Sequence, residues 1–277
     1  SLFQPSRKIP NVTVTGVKLN SSQVEEGDLF IAIPGTKVDG HDFIGDAIDS
    51  GAIAIISNGR DVGKLSVPQI KVANPRRAAS IVAAEYYGHP TKDLIVLGIT
   101  GTNGKTTTAS LLFSILNNAG HKTAQLGTLG TIADGFNQEA TLTTPDSISL
   151  QKTFSELRDA DFSHIVMEVS SHALDQYRVA DVEFDVALFT NLTSEHLDYH
   201  ASIEAYYQAK ARLFRMLPLE STAIVNESDP NGLRMAEETN APTLTFSRSN
   251  GNSIHFSDLN ISISGIHGKI IAGHITY

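Results

Sequence analysis

Apolar and polar positions in the first third of the chain predict a small α/β unit. Residues 29–33 and 52–56 are apolar runs of strand length, and glycine or proline bounds them. A short helix is expected over 43–49. A longer helix is predicted over 75–87, because proline is favoured at the first helical position and Gly88 can end the helix.

Beyond residue 90 the pattern changes to longer apolar strands that alternate with helices. This alternation predicts a doubly wound, mostly parallel sheet, and the alternating tail from residue 253 predicts antiparallel edge strands. The segment 89–91 resembles a hinge, so the predicted domains are 1–88 and 89–277. The predicted elements of the second domain are strands over 94–98, 165–169, 186–189 and 222–225 and a helix over 203–217.

Composition narrows the possible classes of protein. With 277 residues the chain suits two domains, and its net charge of -9 argues against a protein that binds duplex nucleic acid. It has no cysteine, no apolar run of membrane-span length and no signal-peptide order at its N-terminus. We therefore expect a cytoplasmic protein without nucleic-acid or membrane partners. A monomer is expected, but no pattern in the sequence determines the oligomeric state.

A glycine-rich loop between a strand and a helix organises the second domain. Closely spaced glycines let backbone N–H groups point into one concavity, and the helix N-terminus and Lys105 add positive charge. The loop is a variant, since the strict P-loop spacing would place glycine where Ile99 stands. A glycine-rich turn without a ligand is the alternative. The residues predicted to bind ATP are Gly101, Thr102, Asn103, Gly104, Lys105, Thr106 and Thr107.

The helix behind this loop is predicted to end at Gly120. Its apolar stripe is predicted to contain Leu111, Leu112, Ile115 and Leu116.

Polar residues follow two of the apolar strands, at the strand ends where ligands bind in open α/β sheets. Glu168 could serve Mg²⁺ together with the hydroxyl of Thr106, or it could be a solvated strand-end glutamate. His196 and His200 have the i, i+4 spacing of zinc ligands, but no H-E-x-x-H motif is present. One histidine reaching a Mg²⁺ shell or a phosphate is favoured over zinc, and a structural histidine is the alternative.

Lys210 falls within the apolar stripe of the helix over 203–217. That stripe consists of Ile203, Tyr206, Tyr207, Leu213, Phe214 and Leu217. A lysine drawn inward would be desolvated, and its neutral amine could react with CO₂ to give a metal-binding carbamate. From periodicity alone, a lysine that reaches solvent from the edge of the stripe is the favoured interpretation.

A further polar group could hold an anionic substrate. Thr143 and Thr144 lie in a turn, and Arg178, near Gln176, offers a bidentate fork to carboxylate or phosphate.

Together these motifs resemble the Mur ligase family of peptidoglycan synthesis, in particular its MurE-type branch. The resemblance covers most of the chain. The segments that carry it are 27–32, 38–41, 98–107, 143–145, Glu168-Val-Ser-Ser-His172, 190–192, 196–200 and Lys210.

The resemblance implies an ATP-dependent amide ligase that acts in cell-wall biogenesis, cell shape and cell division. Such an enzyme adds the third amino acid, of the lysine or diaminopimelate class, to UDP-N-acetylmuramoyl-L-Ala-D-Glu through an acyl phosphate. The implied cofactors are ATP and Mg²⁺, with Lys105, Glu168, His196 and Lys210 as catalytic residues. The implied metal ligands are Thr106, Glu168, His196 and Lys210 as carbamate. The implied uridine contacts are Leu19, Ser21, Thr36, Lys37 and Val38, and the muramoyl-dipeptide contacts are Thr143, Thr144, Ser170, Gln176 and Arg178.

Two departures from the family pattern matter. Asn20-Ser21-Ser22 stands where the family often has Asp-Ser-Arg. The family's C-terminal, amino-acid-binding domain is not in this sequence, so a fragment inactive as a complete ligase is expected. The rival interpretations are another ligase of the superfamily, such as folylpolyglutamate synthetase, a nucleotide- and substrate-binding fragment, and a P-loop kinase or switch.

Overall fold

The computed structural model describes residues 3–4, 11–35, 38–247, 253–263 and 265–276. The chain divides into two compact units. The first consists of Ser1–Pro90, Pro145–Glu156 and Gln176–Val182, and the second of Thr91–Thr144, Leu157–Asp175 and Glu183–Tyr277. Two segments of the predicted second domain therefore pack with the first ninety residues.

The first unit is a sheet with helices, and apolar side chains are buried on both of its faces. In this unit Asn74 caps α2 by accepting a hydrogen bond from the Arg77 amide, which explains where that helix begins. The strands lie in the order β1-β5-β4-β3-β2, parallel except for β1. The elements are β1 (Phe3–Gln4), β2 (Gly16–Lys18), β3 (Asp28–Ile31), α1 (Ile44–Asp49), β4 (Ala54–Ser57), β5 (Gln69–Val72) and α2 (Pro75–Tyr86).

Most of the remaining described strands alternate with helices, as the apolar pattern predicts. The elements of this part are β6 (Ile95–Thr100), α3 (Lys105–Asn118), β7 (Thr123–Gly127), β8 (Gly130–Ala133), β9 (Phe136–Gln138), α4 (Ser147–Asp159), β10 (His164–Glu168), α5 (Ser171–Asp175), β11 (Val186–Phe189), α6 (Leu197–His200), α7 (Ile203–Arg215), β12 (Thr222–Asn226), α8 (Gly232–Ala236), β13 (Thr243–Ser247), β14 (Ile254–Ser262), β15 (Gly265–Ala272) and β16 (Ile275–Thr276). The strands β7, β8 and β9, however, follow one another without a helix and were not predicted.

The sheet of the second unit brings the candidate residues to one edge. Its described strands lie in the order β16-β15-β14-β13-β12-β11-β6-β10-β7-β8-β9. The strands from β7 to β14 across the middle are parallel, and both ends are antiparallel, which confirms the predicted sheet. The chain crosses over β6 on its way from β10 to β11. The loops after these three strands therefore meet at the switch point where α/β sheets bind ligands.

The predicted apolar stripe of α3 is wrong in half of its members. Leu111 and Ile115 are 59% and 61% exposed, whereas Leu112 and Leu116 pack against the core. Ala109 is fully buried. Residues 109, 112 and 116 follow the i, i+3, i+7 spacing of one helix face, and 111 and 115 each lie about 100° away from it.

The helix α7 follows its predicted stripe except at its start. Ile203 is 40% exposed, while Tyr206, Tyr207, Leu213 and Phe214 are buried. Ile203 is the first residue of α7, where the helix emerges from a loop. Within the described ranges, no helix combines the length and apolar character that a membrane span requires.

Candidate active site

The loop after β6 is held from the end of the neighbouring strand β11. The Asn191 side chain accepts from the Asn103 amide at 2.9 Å and donates to the Asn103 carbonyl at 3.0 Å. The Thr190 hydroxyl donates to the same carbonyl at 2.7 Å. Gly101 is required here, because its φ is 148° and a Cβ would lie 1.9 Å from the Thr190 hydroxyl oxygen. Sequence reasoning assigned no role to Asn191, although its place directly after a strand was a usable signal.

Lys105 begins α3 and folds back over the loop. Its ammonium donates to the carbonyls of Gly101 at 2.9 Å and Thr102 at 2.8 Å. Burial lowers the pKa of Lys105, while the charges of Glu168 and Glu195 oppose that shift. The lysine and the helix N-terminus together provide the positive charge that a phosphate group requires.

Glu168 ends β10 as a buried carboxylate, 1% exposed. Oε2 accepts from the Thr106 hydroxyl at 2.8 Å, and Oε1 accepts from the Thr128 amide at 2.9 Å. A Cβ on Gly127 would lie 2.2 Å from Oε1, so only glycine leaves room for this carboxylate. Sequence reasoning did not identify Thr128, which lies in the turn between β7 and β8, two strands that it had not predicted.

The donor set at this position fits Mg²⁺. Carboxylate and hydroxyl oxygens are the hard ligands that Mg²⁺ prefers, and the donors that Glu168 accepts from are neutral. Among the described residues, however, no three His, Asp or Glu side chains converge as a ready-made metal centre. A cation here would therefore need further ligands, such as phosphate oxygens or water.

Lys210 lies inside the protein, so the interpretation favoured from periodicity, a lysine that reaches solvent, is wrong. It is 1% exposed, its ammonium donates to the Gly101 carbonyl at 2.8 Å, and it lies 4.3 Å from the centre of the Tyr206 ring. Burial lowers the pKa of Lys210 well below the ordinary lysine value, and the positive charge of Lys105 contributes. The hydrogen bond holds the amine against the loop and prevents it from turning outward.

Histidines gather beside Tyr206. The His196 ring lies 6.0 Å from the Tyr206 ring and 5.0 Å from that of His172. His196 has a left-handed φ of 57°, a strain that is typical of functional positions. His200 is buried and its Nε2 lies 2.9 Å from the Ser171 hydroxyl oxygen, which fits the structural interpretation. Burial, followed by the charge of His172, lowers the pKa of His200.

The residues expected to contact a muramoyl-dipeptide fall in both units. In the second unit Thr144 is fully buried, and its hydroxyl donates to the Glu168 carbonyl at 2.9 Å and accepts from the Ser170 amide at 3.1 Å. Thr143 lies beside Thr128. Gln176 and Arg178 belong to the first unit.

The first unit contains a cleft of about 270 Å³. Three of the residues expected to contact uridine line it, namely Leu19, Ser21 and Val38. The other two, Thr36 and Lys37, lie outside the described residues. The remaining lining residues are Asn20, Phe30, Ile33, Gly40 and Phe43.

The doubly wound sheet with a glycine-rich loop and a lysine at its switch point defines a P-loop type of α/β protein. Family comparison is more specific. A model of the Mur ligase middle domain matches residues 99–275, and a model of the Mur ligase family catalytic domain matches residues 13–87. The chain belongs to the Mur ligase family.

Relatives with known names point to one branch. The chain is 40% identical over 264 residues to UDP-N-acetylmuramoyl-L-alanyl-D-glutamate--2,6-diaminopimelate ligase of Geobacter metallireducens. The aligned region covers 93% of this chain and 52% of that protein. The identity is also 40%, over 268 residues, to the ligase of the same name from Gloeobacter violaceus, with coverages of 96% and 54%. The chain thus spans about half the length of the curated relatives it matches.

Solved structures agree with the fold. A structure of a ligase of the same name superposes with a TM-score of 0.84 at 26% identity, covering 99% of this chain and 57% of that chain. A crystal structure of MurF from Acinetobacter baumannii superposes with a TM-score of 0.68 at 22% identity, covering 98% of this chain and 56% of that chain. At this identity the similarity shows the fold alone.

Proposed function

We propose that this chain carries the ATP- and UDP-substrate-binding parts of a MurE-type ligase, which adds an amino acid to UDP-N-acetylmuramoyl-L-Ala-D-Glu. The observation that carries the proposal is the buried Lys210 hydrogen-bonded to the Gly101 carbonyl of the phosphate loop. A P-loop kinase or nucleotide switch has no use for a second, desolvated lysine there. An acyl-phosphate ligase does, because the neutral amine can take up CO₂, and the resulting carbamate can hold a metal ion where the negative charges of phosphoryl group and carboxylate meet.

The proposed reaction has two steps. A substrate carboxylate oxygen attacks the γ-phosphorus of ATP, ADP leaves, and an acyl phosphate forms. The amine of the incoming amino acid then attacks the acyl carbon, inorganic phosphate leaves with the C–O bond electrons, and the amine loses a proton. Positioning and charge stabilisation supply most of the catalysis of such transfers.

The residues of this chain have distinct parts in that proposal. The backbone of Gly101–Thr107 and the ammonium of Lys105 hold the ATP phosphates. Thr106 and Glu168 would hold Mg²⁺, which when bound neutralises phosphate charge. His196 and a carbamate on Lys210 would hold a second ion, because a carbamate replaces the lysine's positive charge with a negative one.

The first unit is proposed to bind the UDP end of the substrate. The cleft lined by Leu19, Ser21 and Val38 supports this assignment, since apolar walls with a few polar groups are typical of small-molecule sites. Thr143, Thr144, Ser170, Gln176 and Arg178 are proposed for the muramoyl-dipeptide. The relatives' names favour 2,6-diaminopimelate as the amino acid. A monomeric state and a cytoplasmic location complete the proposal.

Binding calorimetry tests the proposal directly. Purified chain is titrated with UDP-N-acetylmuramoyl-L-Ala-D-Glu and, separately, with ATP and Mg²⁺. We expect both to bind, and we expect Glu168→Gln to weaken the Mg²⁺ dependence of ATP binding while Glu183→Gln, an exposed control, leaves it unchanged. Binding of a folate substrate without binding of the muramoyl-dipeptide nucleotide would favour the folylpolyglutamate synthetase alternative and overturn the proposal.

A further inference from the structure

Two adjacent arginines at the start of α2 contact the segment Gln176–Val182 within the first unit. The Arg77 guanidinium pairs with both carboxylate oxygens of Asp181, one of them at 2.9 Å. The Gln151 amide donates to the Asp181 carbonyl at 3.1 Å. These hydrogen bonds hold the C-terminal end of the segment, at Asp181, against α2 and α4.

Arg76 makes a different kind of contact, because it joins two separate stretches of chain. Its Nη1 donates to Oε1 of Gln176 at 3.3 Å, and its Nη2 donates to the carbonyl of Pro34 at 2.8 Å. Oε1 of Gln176 also accepts from the Arg178 guanidinium at 2.8 Å. One planar fork therefore sets the position of Gln176, and through it Arg178, relative to Pro34.

The two stretches are those proposed for opposite ends of the substrate. Pro34 forms an isolated β-bridge with Asp39, and Val38, which precedes Asp39, lines the cleft proposed for uridine. Gln176 and Arg178 are proposed for the muramoyl-dipeptide. Tyr177 between them has a left-handed φ of 59°, a backbone strain that is typical of functional segments.

We propose that Arg76 is a positioning residue that sets the spacing between the UDP subsite and the muramoyl-dipeptide subsite. This inference rests on the proposed function. A ligand held at both ends gains affinity when its two subsites are already at the correct separation, since the second contact becomes intramolecular. Loss of the bridge should therefore weaken binding of the whole substrate while leaving binding of either end alone unchanged.

Calorimetry on Arg76→Met can separate this role from simple stabilisation. Methionine keeps an unbranched apolar stem and removes the donors. We expect the affinity for UDP-N-acetylmuramoyl-L-Ala-D-Glu to fall about 10-fold, which corresponds to about 1.4 kcal/mol, and the affinity for UDP to change less than about 2-fold. Arg234→Met, which breaks an exposed pair with Glu204 in the second unit, is the matched control and should change neither affinity.

Other results would overturn the role. Equal losses for UDP and for the whole substrate would mean that Arg76 supports only the nucleotide loop. Unchanged affinity for the whole substrate in a folded variant would mean that Arg76 does not set the spacing between the two subsites. If Arg76→Met does not fold, Arg76→Lys takes its place. A single ammonium group cannot donate to both Gln176 and Pro34 as the guanidinium does, so this variant should show the same selective loss of affinity for the whole substrate. A wild-type chain that binds neither ligand would instead overturn the proposed function, and this inference with it.

Discussion

Lys105 and Lys210 donate hydrogen bonds to the same oxygen, the carbonyl of Gly101, at 2.9 and 2.8 Å. Burial makes the charge on Lys210 costly, and the neighbouring charge of Lys105 adds to that cost. The pKa of Lys210 is accordingly lowered well below 10.5. The pair is therefore poorly arranged for stability in the absence of ligands.

Replacing Lys210 with methionine should therefore stabilise the ligand-free chain. The pKa of Lys210 is lower in the folded than in the unfolded chain, so the unfolded chain binds more protons between the two values. Below the folded-state pKa, the buried charge of Lys210 lowers the free energy of unfolding of the wild type by its full amount. This loss becomes smaller as the pH rises towards 10.5. Urea unfolding should show that Lys210→Met is more stable by about 1–3 kcal/mol at neutral pH, with a smaller advantage near pH 10. An advantage that is constant with pH would contradict the assignment of the effect to this amine.

The same residue should carry a carbamate when metal and nucleotide are bound. The neutral amine adds to CO₂ and loses a proton, and the resulting anion relieves the repulsion with Lys105. With ¹³C-labelled bicarbonate, Mg²⁺ and ADP, we expect a carbamate ¹³C resonance in the wild type. The resonance should be absent from Lys210→Met and present in Lys152→Met, whose lysine is exposed. A wild-type spectrum without it under these conditions would count against the carbamate.

Lys105→Met should weaken ATP binding about 100-fold, or about 2.7 kcal/mol, because a charge-assisted contact to phosphate is lost. The fold should persist, since the Gly101 carbonyl keeps its bond from Lys210. Calorimetry with ATP and Mg²⁺ measures the loss, with Lys152→Met as the control of equal charge change. Retained ATP affinity in a folded variant would show that this lysine does not contact the phosphates.

Two glycines of the loop should respond differently to alanine. Both have positive φ, 148° at Gly101 and 85° at Gly104, so both variants are strained by roughly 1–3 kcal/mol. At Gly101 the new Cβ also meets the Thr190 hydroxyl, whereas at Gly104 it meets open space. In thermal unfolding, the Tm of Gly101→Ala should be clearly lower than the Tm of Gly104→Ala. The reverse order would contradict the contact with Thr190.

A guanidinium near the cleft of the first unit should raise affinity for UDP. Asn20 caps a short 3₁₀ turn by accepting from the amide and hydroxyl of Ser22, at 3.1 and 3.0 Å, and position 22 is exposed. The family often has arginine at this point. Ser22→Arg should therefore tighten UDP binding about 5-fold at low salt and less at high salt, because screening weakens exposed charges. Gln23→Arg, one residue further along and also exposed, is the control.

Local sequence patterns were enough to predict the features of this protein that depend on neighbouring residues. Proline after Asn74 marked the start of α2, the apolar runs marked β6, β10 and β11, and the glycine spacing marked the phosphate loop. The periodicity of α7 placed Lys210 within the apolar stripe but favoured a side chain that reaches solvent, which is wrong. Such features are local, since helix and strand periods are encoded within a few residues.

Which of these features come into contact is apparent only from the folded chain. Glu168 reaches Thr106 across 62 residues because β10 and β6 are neighbours in the sheet, and strand order is not written in any one strand. The same holds for the exposed Leu111 of α3, whose solvation depends on what the rest of the chain leaves uncovered. The segment Gln176–Val182 joins the first unit through Arg76 and Arg77, contacts between residues about one hundred positions apart. Burial of Lys210 likewise required the Gly101 carbonyl to lie within its reach, because periodicity gives a direction but not a partner.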